Sequence, residues 1–115
     1  MDPLPPKKGN PEAVIQKAII VYLEHRNWFV KPTHGNMYQS GLPDLFCCHN
    51  VYGQKWVEVK LPNMKGSKFT NAQQKEFPKF VTHGSPIWVL TGATKAEYDK
   101  LFKPGNLWVY MAQKM

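Results

Sequence analysis

Residues 41–60 read GLPDLFCCHNVYGQKWVEVK and decide the fold of this chain. They contain two short apolar runs, 42–48 and 56–59, joined by the turn-forming sequence HNVYGQ, a pattern that predicts a β-hairpin. Asp44 lies in the first run, whereas Glu58 and Lys60 are two residues apart at the end of the second and therefore share a face of the strand. Hairpin pairing predicts that these three side chains meet beside the strands.

Two carboxylates and a lysine in one place indicate metal-assisted chemistry on a phosphate. Neighbouring carboxylates are costly unless a cation neutralises them, and hard oxygen ligands suit Mg²⁺. A lysine beside that cation is suited to stabilising charge on a phosphate under attack. The alternative interpretation is a solvated strand edge with one Glu–Lys pair.

The residues also carry a family resemblance. Pro43-Asp44 followed by Glu58-Val59-Lys60 resembles the signature of the PD-(D/E)XK nuclease superfamily. The longer sequences GLPDLF, WVEVK and FTNAQ are similar to its VRR-NUC branch, which includes phage proteins similar to Holliday-junction resolvases. The resemblance covers residues 12–90. It implies an α/β fold with a restriction-endonuclease-like αβββαβ core, in which helices flank a mixed sheet.

The same resemblance implies a metal-dependent endodeoxyribonuclease that uses Mg²⁺ or Mn²⁺. Asp44 and Glu58 would hold the metal, and the carbonyl of Val59 would be a third protein ligand. Glu12 would bind a second metal or a metal-bound water. Lys60 would orient the attacking water or stabilise charge on the scissile phosphate.

A predicted first helix places Glu12 on its apolar side. Asn10 suits the N-cap and Pro11 the first helical position, and the pattern continues to about residue 26. Ile19 and Leu23, seven and eleven residues after Glu12, lie on the same stripe. An inward carboxylate is expensive without a partner, which favours a functional role. The alternative is that Glu12 interacts with the helix dipole.

A second predicted helix begins after Thr70, and Gln73 has the spacing of a capping box with it. The family resemblance instead implies that Gln73 supports Lys60 or the attacking water. We expect both roles together only if the amide points toward the metal and not back at the cap. Pro78 should kink or shorten this helix.

Four further elements are expected. Residues 28–30 form a first strand, and 86–90 form a strand whose near-continuous apolar run is typical of a central position. Thr94 opens a short helix to about residue 102 through a second capping box with Glu97. Residues 107–111 form a last strand.

Two loops carry candidate DNA contacts. The first, KPTHGNMYQSG at 31–41, leads into the hairpin, and the second follows it and contains a Gly-Ser pair between lysines. Phosphate contact and simple solvated charge are both open for the lysines. The candidates are His34, Asn36, Tyr38, Gln39, Lys65 and Lys68.

Composition favours one basic domain that binds nucleic acid. The chain has 115 residues and a net charge of +7, which favour a polyanionic partner and salt-sensitive DNA binding. We expect a flexible arm at 1–10 and a single nuclease domain at 11–115. No apolar run is long enough to span a membrane and no signal peptide is visible, which favours a soluble cytoplasmic protein, in the host cytoplasm if phage-encoded. The adjacent Cys47 and Cys48 are interpreted as packing residues.

Branched DNA is the favoured substrate. Junction resolvases act as two-fold dimers because a four-way junction has two symmetric cut sites, and exposed Trp108, Tyr110 or Met111 would supply a homodimer interface. A flap, nick or restriction-type nuclease is the main rival. A catalytically silent DNA-binding module and an RNA-directed nuclease are also open.

Overall fold

The computed structural model describes residues 11–33, 41–64 and 67–113. The predicted N-terminal arm therefore lies outside the described residues. The elements are α1 (Pro11–Glu24), β1 (Phe29–Pro32), β2 (Leu45–His49), β3 (Gly53–Val59), α2 (Asn71–Thr82), β4 (Ile87–Leu90), α3 (Lys95–Asp99), a 3₁₀ turn (Lys100–Phe102) and α4 (Leu107–Gln113).

The strands form one mixed sheet in the order β1-β2-β3-β4. The predicted hairpin is confirmed, since β2 and β3 pair antiparallel with Leu45 opposite Val57. Gly53 begins β3 with a φ of 83°, which glycine adopts without steric cost and which lets the chain turn tightly after β2. β1 pairs antiparallel with β2, whereas β4 pairs parallel with β3 after the α2 crossover. The predicted α/β class with a mixed, helix-flanked sheet is confirmed.

Each face of the sheet is covered by helices. Alternate residues of β4 face opposite sides: Trp88 and Leu90 join the core beneath α1, whereas Ile87 and Val89 join the core beneath α2 and α4. On the α1 side Ile19 and Leu23 are each 1% exposed, which confirms the predicted apolar stripe. The two cores hold β3 in the middle of the molecule, with the end of that strand between α1 and α2.

The prediction of a central position for residues 86–90 is wrong. β4 is an edge strand, yet all four of its residues are buried. The reason is that both faces of β4 pack against core residues, while the Asn106 side chain satisfies the free edge: its Oδ1 accepts from the Val89 N–H at 2.6 Å and its Nδ2 donates to the Val89 carbonyl at 3.1 Å. The Trp88 indole also donates to the Lys103 carbonyl at 2.8 Å.

The prediction of a last strand at 107–111 is also wrong, because this segment is α4. A helix places Leu107 and Met111, four residues apart, on one face, and both are buried, at 1% and 8% exposure. A strand would have turned Val109 to the same side, but Val109 is 59% exposed. Of the residues proposed for a dimer interface, Trp108 is 50% exposed, Tyr110 is partly buried and Met111 is in the core.

Helix ends follow the predictions in part. α1 ends at Glu24, two residues earlier than expected, and α2 continues past Pro78 to Thr82. Thr94 caps α3 by accepting from the Glu97 N–H, but the Glu97 carboxylate accepts from the Thr91 N–H at 2.8 Å instead of closing the box. Within the described ranges, none of the helices has the length and apolar character that crossing a membrane requires.

Asn106→Ala should destabilise the fold by about 2–3 kcal/mol, because it leaves a buried N–H and C=O of Val89 without partners. Urea unfolding measures the loss. Lys95→Ala is the control, since it removes the exposed ion pair with Asp99 and should cost less than about 1 kcal/mol. Equal stability of Asn106→Ala and the wild type would show that solvent satisfies the β4 edge.

Candidate active site

The hairpin brings Asp44 and Glu58 together at one end of the sheet. Asp44 immediately precedes β2, and its backbone N–H donates to Glu58 Oε1 at 3.1 Å. In return the Val59 N–H donates to Asp44 Oδ2 at 2.9 Å. These reciprocal bonds follow directly from the pairing of Leu45 with Val57, and they hold the two carboxylates side by side.

Lys60 is buried beside Glu58. Its side chain is 3% exposed, and its Nζ lies 3.2 Å from Glu58 Oε2. The ammonium also donates to the Lys68 carbonyl and to Gln73 Oε1, both at 3.1 Å. An ammonium has three protons to donate, so these three acceptors match its capacity. The predicted meeting of Asp44, Glu58 and Lys60 is therefore present in the structure.

Gln73 caps α2 and contacts the site at the same time. Thr70 Oγ1 accepts from the Gln73 N–H at 3.1 Å, and Gln73 Oε1 accepts from the Thr70 N–H at 3.0 Å, which completes the predicted capping box. Gln73 Nε2 donates to Glu58 Oε2 at 3.0 Å. The expectation that the amide must point either to the cap or to the site is wrong, because its oxygen serves the cap and Lys60 while its nitrogen serves Glu58.

Burial makes both carboxylates hard to ionise. Burial raises the pKa of Asp44 above its ordinary value of 3.8, and the negative charge of Glu12 adds to this effect, whereas the hydrogen bond from Val59 opposes it. Glu58 is 1% exposed, and burial followed by the charge of Asp44 raises its pKa well above its ordinary value, against the opposing charge of Lys60. The pair therefore favours a neighbouring positive charge.

Glu12 approaches this pair from the first turn of α1. Its carboxylate is half-buried and is hydrogen-bonded to the hydroxyl of Ser67, in the segment between β3 and α2. Among the described residues, no group of three or more His, Cys, Asp and Glu side chains is close enough to hold a metal ion by itself. Oxygen donors from carboxylates are nonetheless present in Asp44, Glu58 and Glu12.

Of the six predicted DNA contacts, Lys68 is the one that lies within the described residues. His34, Asn36, Tyr38, Gln39 and Lys65 lie outside the described residues. Lys68 is exposed, and its carbonyl rather than its ammonium contacts Lys60.

Sequence reasoning missed two hydroxyl residues at this site. Ser67 bonds to Glu12, and Thr33 Oγ1 donates to the Pro43 carbonyl while its N–H donates to the Asp44 carbonyl at 2.8 Å. Both lie in loops, where neither periodicity nor capping spacing marks a residue. A buried loop serine has no signal in a single sequence.

Comparison with known proteins identifies the architecture. A solved structure titled "VRR_NUC domain" superposes with a TM-score of 0.63 and 26% sequence identity, covering 80% of this chain and 94% of the matched chain. The chain has the VRR_NUC fold. This match supports the VRR-NUC family and the PD-(D/E)XK-like fold that the motifs predicted. No protein-family model matches the sequence, and no curated protein matches it either.

Asp44→Asn should stabilise the metal-free VRR_NUC fold at neutral pH, since it removes the charge of the partly buried Asp44 beside the buried Glu58. The pKa of Asp44 is raised by folding, so the wild type gains stability as the pH falls through the folded-state pKa toward the ordinary value of 3.8. The advantage of Asp44→Asn should therefore be full above the folded-state pKa and disappear at low pH.

Urea unfolding in EDTA, from neutral pH down to the ordinary pKa of 3.8, measures the difference in unfolding free energy between Asp44→Asn and the wild type. The matched control is Asp99→Asn, at an exposed ion pair on α3, for which we expect a small effect at every pH. A less stable Asp44→Asn at neutral pH would contradict the interpretation that the paired carboxylates strain the folded state.

Proposed function

We propose that this protein is a metal-dependent PD-(D/E)XK-type nuclease that hydrolyses DNA phosphodiester bonds. The observation that carries the proposal is the buried Glu58, held between the Asp44 amide, Lys60 and Gln73 within a VRR_NUC fold. A structural role alone does not account for the buried Glu58 beside the partly buried Asp44, because replacing buried charged groups with apolar residues is often neutral or stabilising.

The donor set fits a hard divalent cation such as Mg²⁺ or Mn²⁺. Asp44 and Glu58 would hold it, with the Val59 carbonyl as a further ligand, and Glu12 would bind a second metal or a metal-bound water. These are oxygen donors, the type that Mg²⁺ prefers, and water completes its coordination in most protein sites. The positive charge would also offset the burial that raises the pKa of both carboxylates. When bound, such an ion lowers the pKa of its water and neutralises charge on the phosphate.

Lys60 is the proposed cationic group for the scissile phosphate or the attacking water. Its ammonium is held by Glu58, Gln73 and the Lys68 carbonyl, which leaves little rotamer freedom. Preorganised donors of this kind stabilise developing charge without reorganising during the reaction. Gln73 would fix Lys60 through its oxygen and Glu58 through its nitrogen, so that both groups keep one orientation.

The proposed substrate is branched DNA, in the manner of a Holliday-junction resolvase acting as a homodimer. One support is the resemblance to junction-resolvase-like proteins. The other is that the chain is short, with 115 residues, and basic, with a net charge of +7. Such a domain has room to recognise DNA shape rather than a long base sequence. Trp108, half-exposed on α4, and the partly buried Tyr110 are the remaining candidates for an apolar dimer contact.

Lys60→Ala should reduce Mg²⁺-dependent cleavage at least about 100-fold, because a preorganised charge-stabilising donor is typically worth that much in rate. The assay compares a labelled four-way junction, a flap and a linear duplex, for the wild type and the variant. Lys95→Ala, at an exposed ion pair on α3, is the control and should cleave like the wild type.

The pattern of products separates the possibilities. Paired symmetric cuts on the junction support the resolvase, whereas cutting of flaps or linear duplex keeps the nuclease and discards the resolvase. DNA binding without metal-dependent cleavage of any of the three DNA substrates would overturn the proposed DNA nuclease, and would leave a DNA-binding module or a nuclease that acts on RNA.

Binding should weaken steeply with salt, because a protein of net charge +7 binds phosphates by releasing counterions. Lys68→Ala should lower affinity on all DNA structures alike and reduce the slope of log K against log salt by about 1. Fluorescence anisotropy in EDTA, from low to physiological salt, measures both quantities. Binding that ignores salt would contradict the electrostatic interface, and an unchanged slope would remove Lys68 from it.

A further inference from the structure

Ser67 is a buried hydroxyl that the proposed chemistry does not use. Together with Glu58 and Lys60 it makes up the buried polar and charged residues of the described part of the chain, and it is 4% exposed. It lies in the segment that joins β3 to α2. Burying a hydroxyl costs free energy unless it is hydrogen-bonded, so its partners are informative.

The two hydrogen bonds of Ser67 have defined directions. The Leu61 N–H donates to Ser67 Oγ at 3.0 Å, and Ser67 Oγ is hydrogen-bonded to Glu12 Oε2. A hydroxyl has one proton, and an ionised carboxylate only accepts, so the proton of Ser67 is directed to Glu12. Ser67 therefore joins the residue after Lys60 to the first turn of α1, across 55 positions of sequence.

The neighbouring residue contacts the same site. The Lys68 carbonyl accepts from Lys60 Nζ at 3.1 Å, and the Ser67 N–H donates to the Met64 carbonyl at 3.1 Å. Two successive residues thus contact Glu12 through the Ser67 side chain and Lys60 through the Lys68 carbonyl. The Leu61 N–H already gives the Ser67 oxygen one partner, so the bond to Glu12 is an additional contact of this hydroxyl.

We infer that Ser67 is a positioning residue for Glu12, holding its carboxylate in the orientation that would bind a divalent cation beside Asp44. The inference rests on the proposed metal-dependent function. Groups that donate to a metal-binding side chain orient it, and their loss typically weakens metal affinity about 10–100-fold. Ser67 would therefore act on the cation through Glu12, without touching it.

The test is a titration of the full chain with Mn²⁺ in the absence of DNA. The electron paramagnetic resonance signal of free Mn²⁺ measures how much of the ion stays unbound. Ser67→Ala should weaken Mn²⁺ binding about 10-fold. Ser67→Thr keeps the hydroxyl and should bind Mn²⁺ like the wild type. Glu12→Gln should also weaken binding. In the double variant, Ser67→Ala should add nothing further, because its effect passes through Glu12.

Thr94→Ala is the matched control, because it removes a hydroxyl that caps α3 by accepting from the Glu97 N–H and that is not bonded to Glu12. It should lower the urea unfolding midpoint in EDTA and leave Mn²⁺ affinity unchanged. If Ser67→Ala does not fold, Ser67→Cys keeps the shape with a weak donor and should lose affinity in the same way.

Three results would overturn the inference. In the first, folded Ser67→Ala or Ser67→Cys binds Mn²⁺ like the wild type while Glu12→Gln binds it more weakly. This result would overturn the role of Ser67 and keep the proposed metal site. The same loss from Ser67→Ala in the Glu12→Gln background would show that the hydroxyl acts by another route. A wild type that binds no Mn²⁺ would overturn it together with the proposed metal site.

Discussion

The burial of the Glu58 carboxylate is the constraint on which the rest of this structure depends. A side chain 1% exposed cannot be solvated, and a buried charge without partners costs several kcal/mol or more. The hairpin register brings the Asp44 amide to one oxygen, while Lys60 and Gln73 reach the other. Strand pairing, the start of α2 and the segment after β3 must all be correct for that carboxylate to be satisfied.

This arrangement has a cost in stability. The contacts around Glu58 compensate its charge only in part, since burial and the neighbouring Asp44 still raise its pKa. The chain as a whole has a net charge of +7, although this site is acidic. That positive charge would attract a phosphate backbone toward the site.

The parts of the fold with regular periodicity were predictable. The hairpin follows from two apolar runs joined by turn-forming residues, and its pairing brings Asp44 to Glu58. The α4 helix was not predictable from propensity, because LWVYM consists largely of strand-favouring residues and becomes helical only by burying Leu107 and Met111 against β4 and α2. The covered edge of β4 depends on Asn106, sixteen residues beyond the strand's last residue Leu90. Such long-range contacts have no local signature, and Ser67 was missed for the same reason.

The two roles of Gln73, in capping α2 and in contacting the site, have a consequence for local unfolding. Helix termini are where native proteins open most readily, well below the free energy of global unfolding. In this chain the amide that caps α2 is the same amide that contacts Lys60 and Glu58, so fraying of the first turn of α2 also removes one partner from each of these two groups. The hairpin bonds between Asp44 and Glu58 do not involve α2, so the free energy of opening this first turn governs how rigidly Lys60 is held rather than whether the two carboxylates stay together.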